Sequence, residues 1–126
     1  MRSISSSIID DKNNNGIGII PFLTSGFPNV ELTKDIILKL VDEKLCSAIE
    51  IGIPFSDPIA EGKTIQRSSS VALKNGVTID STLKTISEIN EYNKHTPIIS
   101  MGYYNPIIKI GLDNFFSGCK QSGVNG

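Results

Sequence analysis

The chain has no tryptophan, one histidine, two cysteines, two arginines and three alanines in 126 residues. Each scarcity excludes something. Cys46 and Cys119 are too few for a disulfide scaffold and lie far from zinc-ligand spacing, so a reducing compartment is the default. With His95 as the only imidazole, a metal centre is short of ligands. Charge of neither sign dominates: 12 Lys and Arg stand against 13 Asp and Glu. That argues against nucleic-acid binding, which leaves a basic excess or stripe. Apolar runs such as Ile17–Ile20 fall far short of the ~18–20 residues of a membrane span. The glycine spacings of dinucleotide and P-loop sites are missing.

Isoleucine, by contrast, occurs 21 times, and asparagine and lysine ten times each. These residues have AT-rich codons, whereas alanine and arginine mostly have GC-rich ones. The bias points to an AT-rich bacterium or an organelle genome, hence to a soluble protein of a plastid stroma or a cytoplasm. Hydrophobic content of 39% with 20% charged residues is that of a globular chain. By length alone it is one ordinary domain.

Residues 1–15 are polar, and the serine and asparagine runs there predict little structure. Arg2 and the serines hint at a transit peptide, but Asp10 and Asp11 follow at once, and such peptides are poor in acids. Residues 16–24 read as a buried strand that ends in a Ser-Gly-Phe-Pro turn. A helix capped by Asn29 follows, with Leu32, Ile36, Ile37, Leu40 and Val41 on one face. Residues 48–53 read as a second strand, and the helical crossover makes the pair parallel. Helices are expected over 64–74, closed by Asn75-Gly76, and over about 80–93, with Ile79, Leu83, Ile86 and Ile89 buried and Thr78 or Asp80 as cap. A third strand spans 97–103, broken by Tyr104-Asn105-Pro106. The last helix, 112–121, turns Phe115, Phe116 and Cys119 inward and ends at Gly123, after which a fourth strand is expected.

Repeating β/α units of this kind build a parallel α/β fold, either a doubly wound sheet or a (β/α)8 barrel. The second strand favours the barrel. Ile49, Ile51 and Ile53 alternate with Ala48, Glu50 and Gly52, so one face suits a layer of helices. The other carries a lone carboxylate between two small residues, as a barrel lumen would. A carboxyl withdrawn from water is costly unless paired or used, and such groups exchange protons readily. Glu50 is therefore either a proton-transfer group or a structural glutamate bonded to a neighbour. Asp57 and Glu61 on the next loop are either partners in that chemistry or solvated. Pro54 and Pro58 stiffen that loop. His95 falls on the N-terminal face of the strands, where residues serve stability.

Three runs, IPFLTSGFP (20–28), IEIGIPFSDPIAEGKTIQ (49–66) and MGYYNPI (101–107), closely resemble the tryptophan synthase alpha chain family. The resemblance extends without gaps from about Gly16 onward. It implies a TIM barrel of which this chain, as a single incomplete domain over 1–126, supplies the first three β/α units. It implies retro-aldol cleavage of indole-3-glycerol phosphate to indole and glyceraldehyde 3-phosphate, late in tryptophan biosynthesis. Glu50 falls on the family's general acid/base and Glu61 on its second catalytic carboxylate, which meets the indole N–H. Phe22, Met101 and Tyr103 fall on indole-pocket positions. Asp57, Pro58 and Asn105 fall on positions that meet the beta chain in an alpha2-beta2 tetramer. The alpha chain itself holds no cofactor and no metal; pyridoxal phosphate is expected in the beta partner. Glu61 stands where most members carry Asp, and Lys63 where Pro is usual, which bears on the geometry of that loop.

Two other readings stay open: a free-standing indole-3-glycerol phosphate lyase, and an inactive half-barrel that only packs or binds a partner. A closed barrel needs ~250 residues and commonly holds phosphate on loops after strands 7 and 8. A chain with three strands is thus expected to be an incomplete piece without that site.

Overall fold

The computed structural model describes residues 3–126. Three strands, β1 (Phe22–Thr24), β2 (Ile49–Gly52) and β3 (Ile98–Met101), form one parallel sheet in the order β1-β2-β3. Six helices accompany them: α1 (Ile4–Asn15), α2 (Val30–Asp42), α3 (Lys63–Lys74), α4 (Ile79–Tyr92), α5 (Tyr104–Ile110) and α6 (Leu112–Ser122). Every strand-to-strand connection contains a helix, as parallel pairing demands.

Alternation along the strands decides which face is covered. Ile49, Ile51 and Ile98 are at most 1% exposed and pack against Ile37 of α2, Ile86 and Ile89 of α4 and Phe115 of α6. The opposite face carries two register rows, Phe22–Glu50–Ile99 and Thr24–Gly52–Met101. On this face Phe22 and Met101 remain substantially exposed. Core helices on one face and none of them on the other is the arrangement around a barrel lumen.

The helix ends follow their capping residues. Asn29 caps α2 through its side chain, which accepts the Leu32 N–H at 2.8 Å. Thr78, not Asp80, caps α4, in a reciprocal box with Ser81. Gly123 closes α6 at a φ of +78°, where a side chain would be strained. The stripe of α4 lies as expected, with Ile79, Leu83, Ile86 and Ile89 all buried.

Several expectations need correction. The polar N-terminal segment is helical: α1 is fastened at its ends, by the Ser3 hydroxyl accepting the Ser6 N–H at 3.1 Å and by Gly16 in the left-handed region. Little apolar surface holds it, since among its side chains only Ser7 is buried. The first strand is shorter than 16–24, because Pro21 brings no N–H and Ile17, Ile19 and Ile20 remain exposed. On α2 burial centres on Thr33 and Ile37, leaving Leu32 and Ile36 outside. Residues 104–106 start α5 instead of only breaking a strand; Pro106 lies in its first turn, where a missing N–H costs nothing. Phe116 points outward, at 63% exposed, while Phe115 alone carries the aromatic packing of α6. No fourth strand is formed among the described residues. Residues 125 and 126 nevertheless run beside β3, with the Asn125 N–H donating to Ile98 O at 2.8 Å and the Ser100 N–H to Gly126 O at 2.9 Å.

Helices α2 and α4 are joined by an ion pair, Lys34 Nζ to Glu88 Oε2 at 2.5 Å. Bonding to Lys34 holds the Glu88 carboxyl below its ordinary range, and bonding to Glu88 holds the Lys34 ammonium above its own. A depressed carboxyl stabilises the fold above its unfolded-state value and loses that effect as pH falls through the folded one. The melting difference between the native chain and Glu88→Gln is therefore expected to be small at neutral pH and to vanish in acid. Melts recorded from pH 7 down to pH 3 measure it.

Burial, reinforced by the charge of Asp11, pushes the Cys46 thiol up to about 11, and burial raises Cys119 as well. Both cysteines are free. At pH 8 iodoacetamide is expected to label Cys46 at least tenfold more slowly in the folded chain than in urea, since the thiolate is the nucleophile. Equal rates by mass spectrometry would contradict its packing role.

Candidate active site

The C-terminal ends of the three strands surround a cavity of about 290 Å³. Its wall includes Phe22 from β1, Gly52 from β2, Met101 from β3 and, from the following loops, Phe55, Glu61 and Tyr103. Four residues expected at the site from the sequence thus meet here: Phe22, Glu61, Met101 and Tyr103. Glu50 does not line the cavity. It lies two residues before Gly52 on the same strand face, one layer deeper, level with Phe22 and Ile99.

Glu50 is half-buried. No hydrogen bond or ion pair engages its carboxylate among the described residues. The alternative of a structural glutamate tied to a neighbouring strand or loop therefore has no contact behind it. Its backbone N–H is spent on Pro21 O at 2.9 Å, which fixes the Cα in the sheet while the carboxylate stays available.

Gly52 shapes the pocket by what it omits. A Cβ there would sit 2.5 Å from Phe22 Cζ and 2.7 Å from Phe22 Cε2. The Phe22 ring lies across the bare glycine and forms an apolar wall. Thr24, above it on β1, is buried and fastened to α3: its Oγ1 lies 2.6 Å from Ser68 Oγ, and Ser68 donates its own proton to Ile65 O at 2.9 Å. The neighbouring Ser25 Oγ lies 3.0 Å from Thr82 Oγ1 of α4. Two adjacent hydroxyls thus pin the end of β1 to two different helices.

The loop over 54–62 carries the second carboxylate. The Tyr103 hydroxyl donates to Glu61 Oε2 and accepts the N–H groups of Ile59 at 3.1 Å and Ala60 at 3.3 Å. The Tyr103 ring stacks on Phe55 with centroids 4.8 Å apart. Asp57 is exposed and accepts from the Ser56 hydroxyl. Pro58 is half-buried at the cavity wall, and Asn105 is exposed in the first turn of α5. All three stand on the cavity side of the strands. His95 occupies the turn before β3, at the opposite ends of the strands.

The arrangement suits a flat apolar ring carrying one donor. Aromatic and thioether side chains supply the walls, and Glu61 supplies an acceptor at the edge. Among the described residues no group of three His, Cys, Asp or Glu side chains is placed to hold a metal ion. No helix among them is long and apolar enough to cross a membrane. Sequence reasoning passed over the role of Gly52, for which the alternation of small residues on β2 was a signal. It also passed over Phe55 and the Thr24–Ser68 pair; two hydroxyls 44 residues apart give no local signal.

A family model described as the tryptophan synthase alpha chain matches residues 8–126. The tryptophan synthase alpha chain of Petrotoga mobilis is 44% identical over 120 residues, covering 95% of this chain and 46% of that protein. A crystal structure of tryptophan synthase subunit alpha from Legionella pneumophila superposes with a TM-score of 0.89 at 34% identity, over 98% of this chain and 47% of that one. A structure of the tryptophan synthase α2β2 complex from Pyrococcus furiosus matches with a TM-score of 0.79 at 46% identity, over 85% of this chain and 42% of that one. The chain spans less than half the length of these relatives, so its fold is three consecutive units of a (β/α) barrel.

Proposed function

Because this chain belongs to the tryptophan synthase alpha chain family, we propose that its residues supply the indole side of a lyase site that splits indole-3-glycerol phosphate into indole and glyceraldehyde 3-phosphate. The observation that carries the reading is a pair of carboxylates on the lumen side of the sheet, Glu61 at the cavity wall and Glu50 one layer deeper on β2. Glu50 has no hydrogen-bond or ion-pair partner among the described residues, and Glu61 faces an aromatic cavity.

Glu50 delivers a proton to indole C3, which turns the ring into an iminium-like species. It then takes the proton from the glycerol hydroxyl next to the breaking C–C bond. The electron pair of that bond returns to the ring, leaving indole and an aldehyde, and the proton account closes on Glu50. Glu61 accepts the indole N–H and so favours the positive charge that develops on nitrogen. Phe22, Met101 and Tyr103 hold the ring plane. No cofactor enters these steps.

A beta chain in an α2β2 assembly, with pyridoxal phosphate on the beta side, is the proposed partner. The exposed Asp57 and Asn105 and the nearby Pro58 stand where such a partner would reach the site. The isoleucine bias is the sole support for a plastid origin; the relatives named above come from bacteria and an archaeon.

Calorimetric titration with indole, and separately with indole-3-glycerol phosphate, tests the proposal. Indole is expected to bind the 126-residue chain weakly, competing with no anion. Indole release is expected from a chain of the relatives' full length that carries these residues. Failure to release indole, with and without a beta chain, would remove the lyase reading.

A further inference from the structure

We propose that Tyr103 is a positioning residue whose phenol clasps the 54–62 loop and sets the Glu61 carboxylate toward the cavity. The proposal rests on the reading of Glu61 as the carboxylate that meets the ligand. Three observations carry it. First, the single hydroxyl is saturated: it donates once, to Glu61 Oε2, and accepts twice, from the N–H groups of Ile59 and Ala60. Second, the ring of the same residue stacks on Phe55, so the two limbs of the loop are held by one side chain. Third, the loop has few other fastenings. Its far end is tied to α3, where Gln66 Nε2 donates to Glu61 O at 2.9 Å and the Gln66 N–H to Gly62 O at 3.1 Å. Among the described residues, the middle of the loop is hydrogen-bonded to the rest of the fold through Tyr103 alone, and Ile59 is 92% exposed.

Tyr103 can do this because its own position is fixed. It lies two residues past the end of β3 and forms the N-cap of α5. Strand β3 is paired with β2, and the Ile53 N–H closes the strand end on Met101 O at 2.8 Å. The clasp therefore refers the loop to the sheet. Glutamate has three side-chain torsions, and an unheld carboxylate would sample several rotamers. With Oε2 engaged by the phenol, Oε1 is left to accept a donor from the cavity. The ring lines the pocket while the hydroxyl orders the loop, and these are separable functions of one residue.

Amide hydrogen exchange by NMR on the 126-residue chain separates them. Tyr103→Phe keeps the ring and removes the oxygen. Exchange at Ile59 and Ala60 is expected to rise about tenfold, the equivalent of one net hydrogen bond, while amides of β2 and β3 hold their rates. Glu61→Ala lies outside the core and removes the acceptor of the phenol's proton; a rise of about threefold at the same two amides is expected. Native exchange rates at Ile59 and Ala60 in either variant would overturn the clasp. In a full-length chain, Tyr103→Phe is expected to lower kcat about tenfold with KM little changed, because the ring wall survives while the carboxylate strays. A raised KM with native kcat would assign Tyr103 to the pocket wall alone and also overturn the proposal. Should the full-length chain release no indole, the lyase reading falls, and the exchange rates still decide the clasp.

Discussion

Replacing Glu50 with glutamine in a full-length chain is expected to lower indole release by about 10²–10⁴-fold while leaving ligand binding within about threefold. Glutamine has the size and polarity of glutamate but cannot pass a proton. The substitution thus separates proton transfer from packing. Three features of the site make the effect large. Among the described residues of the strands Glu50 is the one carboxylate on the lumen face, no partner among them engages its carboxylate, and its Cα is fixed between Pro21 and Ile99 by the sheet. Glu61 cannot substitute, since one of its oxygens is engaged by Tyr103 and it stands on a different element. Single-turnover release of indole, paired with calorimetric binding, measures both quantities. Native turnover in the variant would end the assignment of Glu50 as the proton-transfer group. A loss of binding equal to the loss of turnover would mean that Glu50 holds the ligand instead.

Gly52→Ala is expected to weaken indole binding by about 1–3 kcal/mol, on the order of 5- to 150-fold, with a smaller effect on stability. The new Cβ would meet Phe22 Cζ at 2.5 Å, well inside contact distance. Glycine's backbone freedom is not at issue; the space is. Gly52 itself lies in β2, held in register with Thr24 and Met101, so the backbone cannot retreat cheaply. Phe22 is 38% exposed, and its ring can swing. It swings into the cavity, which has only about 290 Å³ to give. The double variant Gly52→Ala, Phe22→Leu is expected to recover much of the binding, because a shorter side chain relieves the clash. Isothermal titration with indole reads both chains. Unchanged affinity in the single variant would show that the ring leaves toward solvent.

Much of this architecture was legible in the chain itself, and the reason differs from element to element. The period-two alternation of Ile49, Ile51 and Ile53 against Ala48, Glu50 and Gly52 located β2, both its faces and the lumenal carboxylate. The stripe of α4 located a helix because its apolar positions recur at helical spacing. What escaped was set by contacts distant in sequence or by ends. Helix α1 offers almost no apolar stripe and depends on Ser3 and Gly16. The outward turn of Phe116 depends on which side of α6 meets α4. At the site, the residue types of Glu61 and Tyr103 could be matched to family positions. Their mutual bond could not, since 42 residues separate them. Depth escaped as well: Glu50 and Glu61 read as a pair at one strand end, whereas Glu50 sits one layer below the cavity wall.

The isoleucine seam of α4 has a consequence for the order in which the chain acquires its structure. Five of the fourteen residues of α4 are β-branched and none is alanine. Such a segment gains little from coiling by itself, because β-branched side chains lose rotamers against the preceding turn. Its apolar face acquires value only when Ile49, Ile51 and Ile98 are already side by side. An isolated peptide of residues 78–93 is therefore expected to be mostly unstructured in water, by circular dichroism. Strand pairing is then expected to precede this helix along the folding route, with the Thr78–Ser81 box marking where the helix starts without nucleating it.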